Sequence, residues 1–110
     1  MANTGNHPFA AFDKEGFLKN LDAWDCATAT AIAAKEGLQL TDQHWELIML
    51  LRRFYQEFEL SPAMRPLVKY VGQHLGKEKG SSLYLLQLFP GSPAKIAAKI
   101  SGLPKPDNCL

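Results

Sequence analysis

Apolar positions recur at helical spacing along most of the chain, and polar, glycine and proline punctuation divides them into segments. Between Asp42 and Glu59, Leu47, Leu50, Leu51, Phe54 and Phe58 form one stripe, which Trp45, Ile48, Met49 and Tyr55 widen. A helix apolar over so much of its circumference is expected to be the central one, and Thr41 is a suitable N-cap for it. Upstream, Trp24 to Glu36 is rich in alanine and favours helix, with Gly37 as its stop. Cys26, Ala29 and Ala33 fall on one face there. Downstream, Ser61-Pro62 reads as an N-cap followed by proline at the first helical position. It predicts a helix to about Leu75, with Met64, Leu67, Val68 and Val71 inward. Gly76 and Gly80 bracket an exposed loop, and Leu83–Phe89 is a short apolar helix ended by Pro90-Gly91. Ser92-Pro93 repeats the cap signal and starts a last helix to about Ile100, which Gly102 stops.

The two ends differ from this pattern. Residues 1–8 read as a frayed start. Phe9–Phe12 and Gly16–Leu18 flank the polar turn Asp13–Glu15, a spacing that predicts a short β-hairpin packed on helices. The expected fold class is therefore α+β, mostly α: a small N-terminal hairpin or meander on about five helices. Residues 1–102 form one domain and residues 103–110 a mobile C-terminal arm. Pro104 and Pro106 forbid helix there and favour an extended chain. Eight residues at ~3.3 Å each reach roughly 25 Å. On this pattern the arm adds little core, and its deletion is expected to leave the fold nearly intact.

Composition narrows the function classes. An apolar fraction of 46% over 110 residues suits a single packed domain. The net charge of +1 is too small to name a partner, but its distribution is uneven. Residues 1–60 carry five basic against nine acidic residues, and residues 61–110 carry seven against two. Such a split either orients the protein on a charged partner or marks a solvated helix surface. MANTGNHPF has no basic and apolar leader, and the longest apolar run, Leu47–Leu51, falls far short of the ~20 residues that span a bilayer. A cytoplasmic protein with no membrane association is expected, where Cys26 and Cys109 need not form a disulfide. There is no CxxC, and His7, His44 and His74 make no ligand pattern, so no metal and no cofactor are expected. Asp13, Asp22 and Asp25 make no inferable carboxylate pair, and no glycine-rich phosphate loop occurs.

Cys109, the second-to-last residue, is the candidate reactive group. A thiol at the tip of a stiffened arm can enter another protein's active site while its own domain stays outside. The thiolate is the nucleophile. Lys105 favours it, while Asp107 and the terminal carboxylate oppose it, which points to activation by a partner. Cys26 on its alanine face reads as a small buried hydrophobe, with a resolving thiol for Cys109 as the sharper alternative. Ser61, Ser92 and Thr41 read as helix caps. Arg65, Lys69, Lys95 and Lys99 form a basic patch facing an acidic partner or RNA, or a solvated face. The helix pair around Ser61 has a loose helix-turn-helix look, which leaves a non-enzymatic DNA-binding regulator as an alternative.

The stretch from Leu88-Phe89-Pro90-Gly91-Ser92-Pro93-Ala94-Lys95 through Gly102-Leu103-Pro104-Lys105-Pro106 to Cys109 closely resembles the C-terminus of the DsrC/TusE family. Thr41–Glu46 and Ser61–Lys69 resemble its middle segments. The resemblance implies a helical domain with a small N-terminal β-meander and a terminal cysteine, Cys109, that accepts sulfur as a persulfide. Gly102, Pro104, Lys105 and Pro106 are the candidate binding residues beside it, Lys105 by its charge and the two prolines by lowering the entropy of ordering the arm. In the sulfite-reductase branch a second cysteine lies eleven positions before the terminal one; here that position is Ala98. The chain thus resembles the TusE branch. That implies a sulfurtransferase that takes sulfur from a TusBCD-type donor complex and hands it to an MnmA-type tRNA thiouridylase for 2-thiolation of the wobble uridine. A DsrC-like accessory role in sulfur oxidation or sulfite reduction is the alternative.

Overall fold

The computed structural model describes residues 11–107. A 3₁₀ turn at Leu21–Ala23 leads into five helices: α1 (Cys26–Lys35), α2 (Asp42–Phe58), α3 (Met64–Leu75), α4 (Ser82–Leu88) and α5 (Pro93–Ile100). Among the described residues the fold is all-α, with no strand or sheet, which corrects the expected N-terminal hairpin. Phe12 and Leu18 make only an isolated antiparallel bridge. Two backbone bonds, from the Asp13 N–H to the Phe17 carbonyl and from the Lys19 N–H to the Ala11 carbonyl, flank that bridge, and the Asp13 carboxylate closes the turn by accepting the N–H groups of Glu15 and Phe17, both at 2.9 Å. Beyond Leu18 the Asn20 side chain caps the 3₁₀ turn, which ends any extension of the pairing. Phe9 and Ala10, the start of the expected first strand, lie outside the described residues.

The helix that meets most of the others is α5, which packs against α1, α2, α3 and α4. It is short, and its inner surface is built from Ala94, Ala97 and Ala98, all buried, which lets neighbours approach on several sides. α2, the expected centre, buries Leu47, Ile48, Leu50, Leu51 and Phe54 but leaves Met49 and Phe58 exposed. Its first turn is pinned by His44. The His44 Nδ1 accepts the Thr41 N–H at 3.0 Å, and Nε2 lies 2.7 Å from the Leu88 carbonyl, the geometry of an Nε2–H donor. His44 is thus structural, joining α2 to the end of α4.

The split charge distribution has an internal use. Lys79–Glu46, Lys99–Glu36 and Lys105–Glu15 each pair a base of the second half with an acid of the first, at 2.7, 2.9 and 3.1 Å.

Candidate functional site: the base of the C-terminal segment

Cys109 lies outside the described residues, which end two positions before it. The residues that lead to it are well placed on the body. α5 ends in a Schellman motif: the Leu103 N–H donates to the Ala98 carbonyl and the Gly102 N–H to the Lys99 carbonyl. Gly102 takes the left-handed φ of +74° that this motif requires. Leu103 follows as the motif's apolar anchor and is 1% exposed in the main core. The chain then passes Pro104 and Lys105, both exposed, to Pro106, which is buried. The segment from 103 to 106 therefore adds core and is held, in contrast to the expectation that it contributes little.

Three side chains from elsewhere fix this exit. The Trp24 indole Nε1–H donates to the Ile100 carbonyl at 2.8 Å. The Arg52 guanidinium donates to the Ser101 carbonyl at 2.7 Å and stacks over the Trp24 ring, 4.0 Å from its centroid. The Ser61 hydroxyl donates to the Pro104 carbonyl. Burial holds the Arg52 guanidinium below the usual arginine value, while the nearby Cys26 thiol acts in the opposite direction.

These contacts correct two sequence expectations. Ser61 does not cap α3, which starts later, after Ala63. Its hydroxyl serves the C-terminal segment instead. Cys26 is exposed, not a buried hydrophobe. Asp25 is the N-cap of α1, so Cys26 takes the first helical position, and Thr28, Ala29, Ile32 and Ala33 supply the inner face. Ala98 is fully buried.

Of the expected site residues, Gly102, Pro104 and Pro106 share this exit. Lys105 is turned to Glu15 of the 12–18 turn. The expected basic patch is not a uniform set of free cations. Lys99 is committed to Glu36 and sits over the Phe17 ring, whereas Arg65 and Lys69 are exposed on α3. Among the described residues no three of His, Cys, Asp and Glu are grouped to hold a metal ion. No helix of the described chain is long and apolar enough to cross a membrane. Trp24, Arg52 and Ser61 were not legible as site residues. The only signal for Trp24 was that a half-buried indole N–H requires a partner.

Comparison with known proteins places this arrangement. A family model described as DsrC like protein matches residues 5–110. A sulfurtransferase TusE of Yersinia pseudotuberculosis is 53% identical over 98 residues, 89% of this chain and 91% of that protein. A sulfurtransferase TusE of Pectobacterium atrosepticum is 52% identical over 100 residues, 91% and 92% of the two chains. The NMR structure of Allochromatium vinosum DsrC superposes with a TM-score of 0.84 at 48% identity, covering 92% of this chain and 90% of that one. The crystal structure of the oxidized gamma-subunit of the dissimilatory sulfite reductase (DsrC) from Archaeoglobus fulgidus gives 0.79 at 34%, covering 92% of both. With the match spanning nearly the whole sequence and the fold shared at high identity, the chain belongs to the DsrC-like protein family.

Proposed function

We propose that this protein is a sulfurtransferase of the TusE type, a carrier that moves sulfur as a persulfide on Cys109. The observation that carries the reading is the 53% identity to sulfurtransferase TusE over 89% of the chain. The chemistry follows from the residue. The Cys109 thiolate attacks the outer sulfur of a donor persulfide. The donor S–S bond breaks, its electron pair leaves with the donor thiolate, and a new S–S bond forms at Cys109. The exchange needs no external oxidant or reductant. In the second step an acceptor nucleophile takes the outer sulfur and Cys109 returns as thiolate. A buried alanine at position 98 leaves no thiol there, which favours single-cysteine relay over two-thiol chemistry.

The donor in this reading is a TusBCD-type complex, and the acceptor an MnmA-type thiouridylase holding tRNA, with the wobble 2-thiouridine as end product. Pro104 and Pro106 lower the entropy of ordering the segment on a partner, and Lys105 contributes charge beside it. The test is to load the protein from its donor and weigh it. A species heavier by one sulfur atom, absent from Cys109→Ser, is expected; no such species on the parent, or its persistence in the variant, refutes the function.

A further inference from the structure

We infer that Trp24 and Arg52 are positioning residues for sulfur transfer: they grip the last carbonyls of α5 and set the direction in which the chain leaves toward Cys109. This rests on the relay reading above.

The carbonyls of a helix C-terminus are ordinarily left to water or to a local cap. Here two side chains from distant elements take the carbonyls of Ile100 and Ser101, at 2.8 and 2.7 Å, immediately before the exit. The second is an arginine, which loses hydration on burial and is paired within 4 Å with no carboxylate among the described residues. Its stacking on Trp24 at 4.0 Å makes the two side chains one clasp. Gly102 closes against the same ring. A Cβ there would lie 2.4 Å from Trp24 Cδ1, so the turn and the indole are fitted to each other.

Direction matters because the remaining span is short. With Pro106 buried, Cys109 is three positions further along the chain, a span of at most roughly 10 Å. Turning the exit by about 30° displaces a point that far away by roughly 5 Å, and misplacement of even ~1 Å can cost a reaction about a hundredfold. A thiol meeting a small reagent in solution does not sense that direction; a thiol meeting a buried acceptor does.

The test uses the full chain with Cys26→Ser as parent, so that Cys109 is its one thiol, loaded with inorganic polysulfide. Two rates are measured: reaction of unloaded Cys109 with a small aromatic disulfide, and delivery of loaded sulfur to an MnmA-type thiouridylase with tRNA. In Arg52→Gln, delivery should fall about tenfold while the small-disulfide rate stays within about twofold of the parent. Arg52→Lys, which keeps a donor for the Ser101 carbonyl, should recover most of the loss. Trp24→Phe keeps the stacked ring but loses the Nε1–H, and should lower delivery by about threefold. It serves if Arg52→Gln fails to fold. Delivery within twofold of the parent in the folded variants overturns the inference. So does a parallel fall in the small-disulfide rate, which would assign the clasp to the thiol's own reactivity. A parent that neither holds nor delivers sulfur would take the relay reading down with it, a result distinct from a working parent with indifferent variants.

Discussion

Where the chain is cut should decide whether it folds. A protein ending at Gly102 loses Leu103, which is 1% exposed in the main core, the Leu103 N–H bond to Ala98 and the Ser61 bond to Pro104. Emptying a leucine site costs about 2–5 kcal/mol. Each lost hydrogen bond costs about 1 kcal/mol. The exposed Lys105–Glu15 pair adds under ~1 kcal/mol. The total is roughly 5 kcal/mol, against a typical domain stability of about 5–15 kcal/mol. At 110 residues, 1 kcal/mol corresponds to about 4 °C in Tm, so the truncation should melt about 20 °C lower. A protein ending at Pro106 keeps every one of these contacts and should melt within about 3 °C of the full chain. Thermal unfolding followed by circular dichroism compares the two. Equal melting of the full chain and the Gly102 truncation, or equal losses in both truncations, would refute the docked exit.

Three further substitutions follow from the packing. In Gly80→Ala the new Cβ would lie 2.4 Å from Gly72 Cα and 2.6 Å from Gly72 N, both backbone atoms of α3. The 76–80 loop must lift, at about 2–4 kcal/mol in urea unfolding, and an unchanged midpoint would contradict the close approach. Lys105→Ala removes only an exposed ion pair and should shift stability by less than about 0.5 kcal/mol, with no more effect at high salt. A larger loss would show that Lys105 holds the segment down. The Tyr70 phenol is raised above its ordinary value by burial and by the nearby Glu57 carboxylate. The folded state then keeps a proton that the unfolded state releases, so stability falls as pH rises from about 10 through the folded value. Tyr70→Phe should flatten that alkaline fall in urea midpoints between about pH 9 and 11; identical slopes would contradict it.

Local signals carried the helices. Proline at the start of α5, Gly37 and Gly102 at the ends of α1 and α5, and Thr41 before α2 are each decided within one turn of chain. The site's geometry depends instead on contacts far apart in sequence. Trp24 reaches Ile100, Arg52 reaches Ser101 and Ser61 reaches Pro104. Ser61 shows how such contacts mislead: Ser-Pro imitates a helix start, yet the hydroxyl has a better partner in the C-terminal segment. Cys26 keeps helical register with the buried Ala29 and Ala33, yet as the first residue after the Asp25 cap it is exposed. The expected hairpin is reduced to one bridge among the described residues, because the chain turns into the Asn20-capped 3₁₀ segment directly after Leu18. Cys109 is proposed as the sulfur carrier from its place in the sequence, since a terminal thiol beyond Pro104 and Pro106 suits delivery into another protein.

The most direct measurement is the 2-thiouridine content of tRNA in cells whose only copy of this protein carries Cys109→Ser. Sulfur relay through that thiol predicts that the modification falls to the level of cells lacking the protein altogether, while the variant accumulates and melts like the parent. Undiminished 2-thiouridine with a stable, abundant Cys109→Ser protein would contradict it.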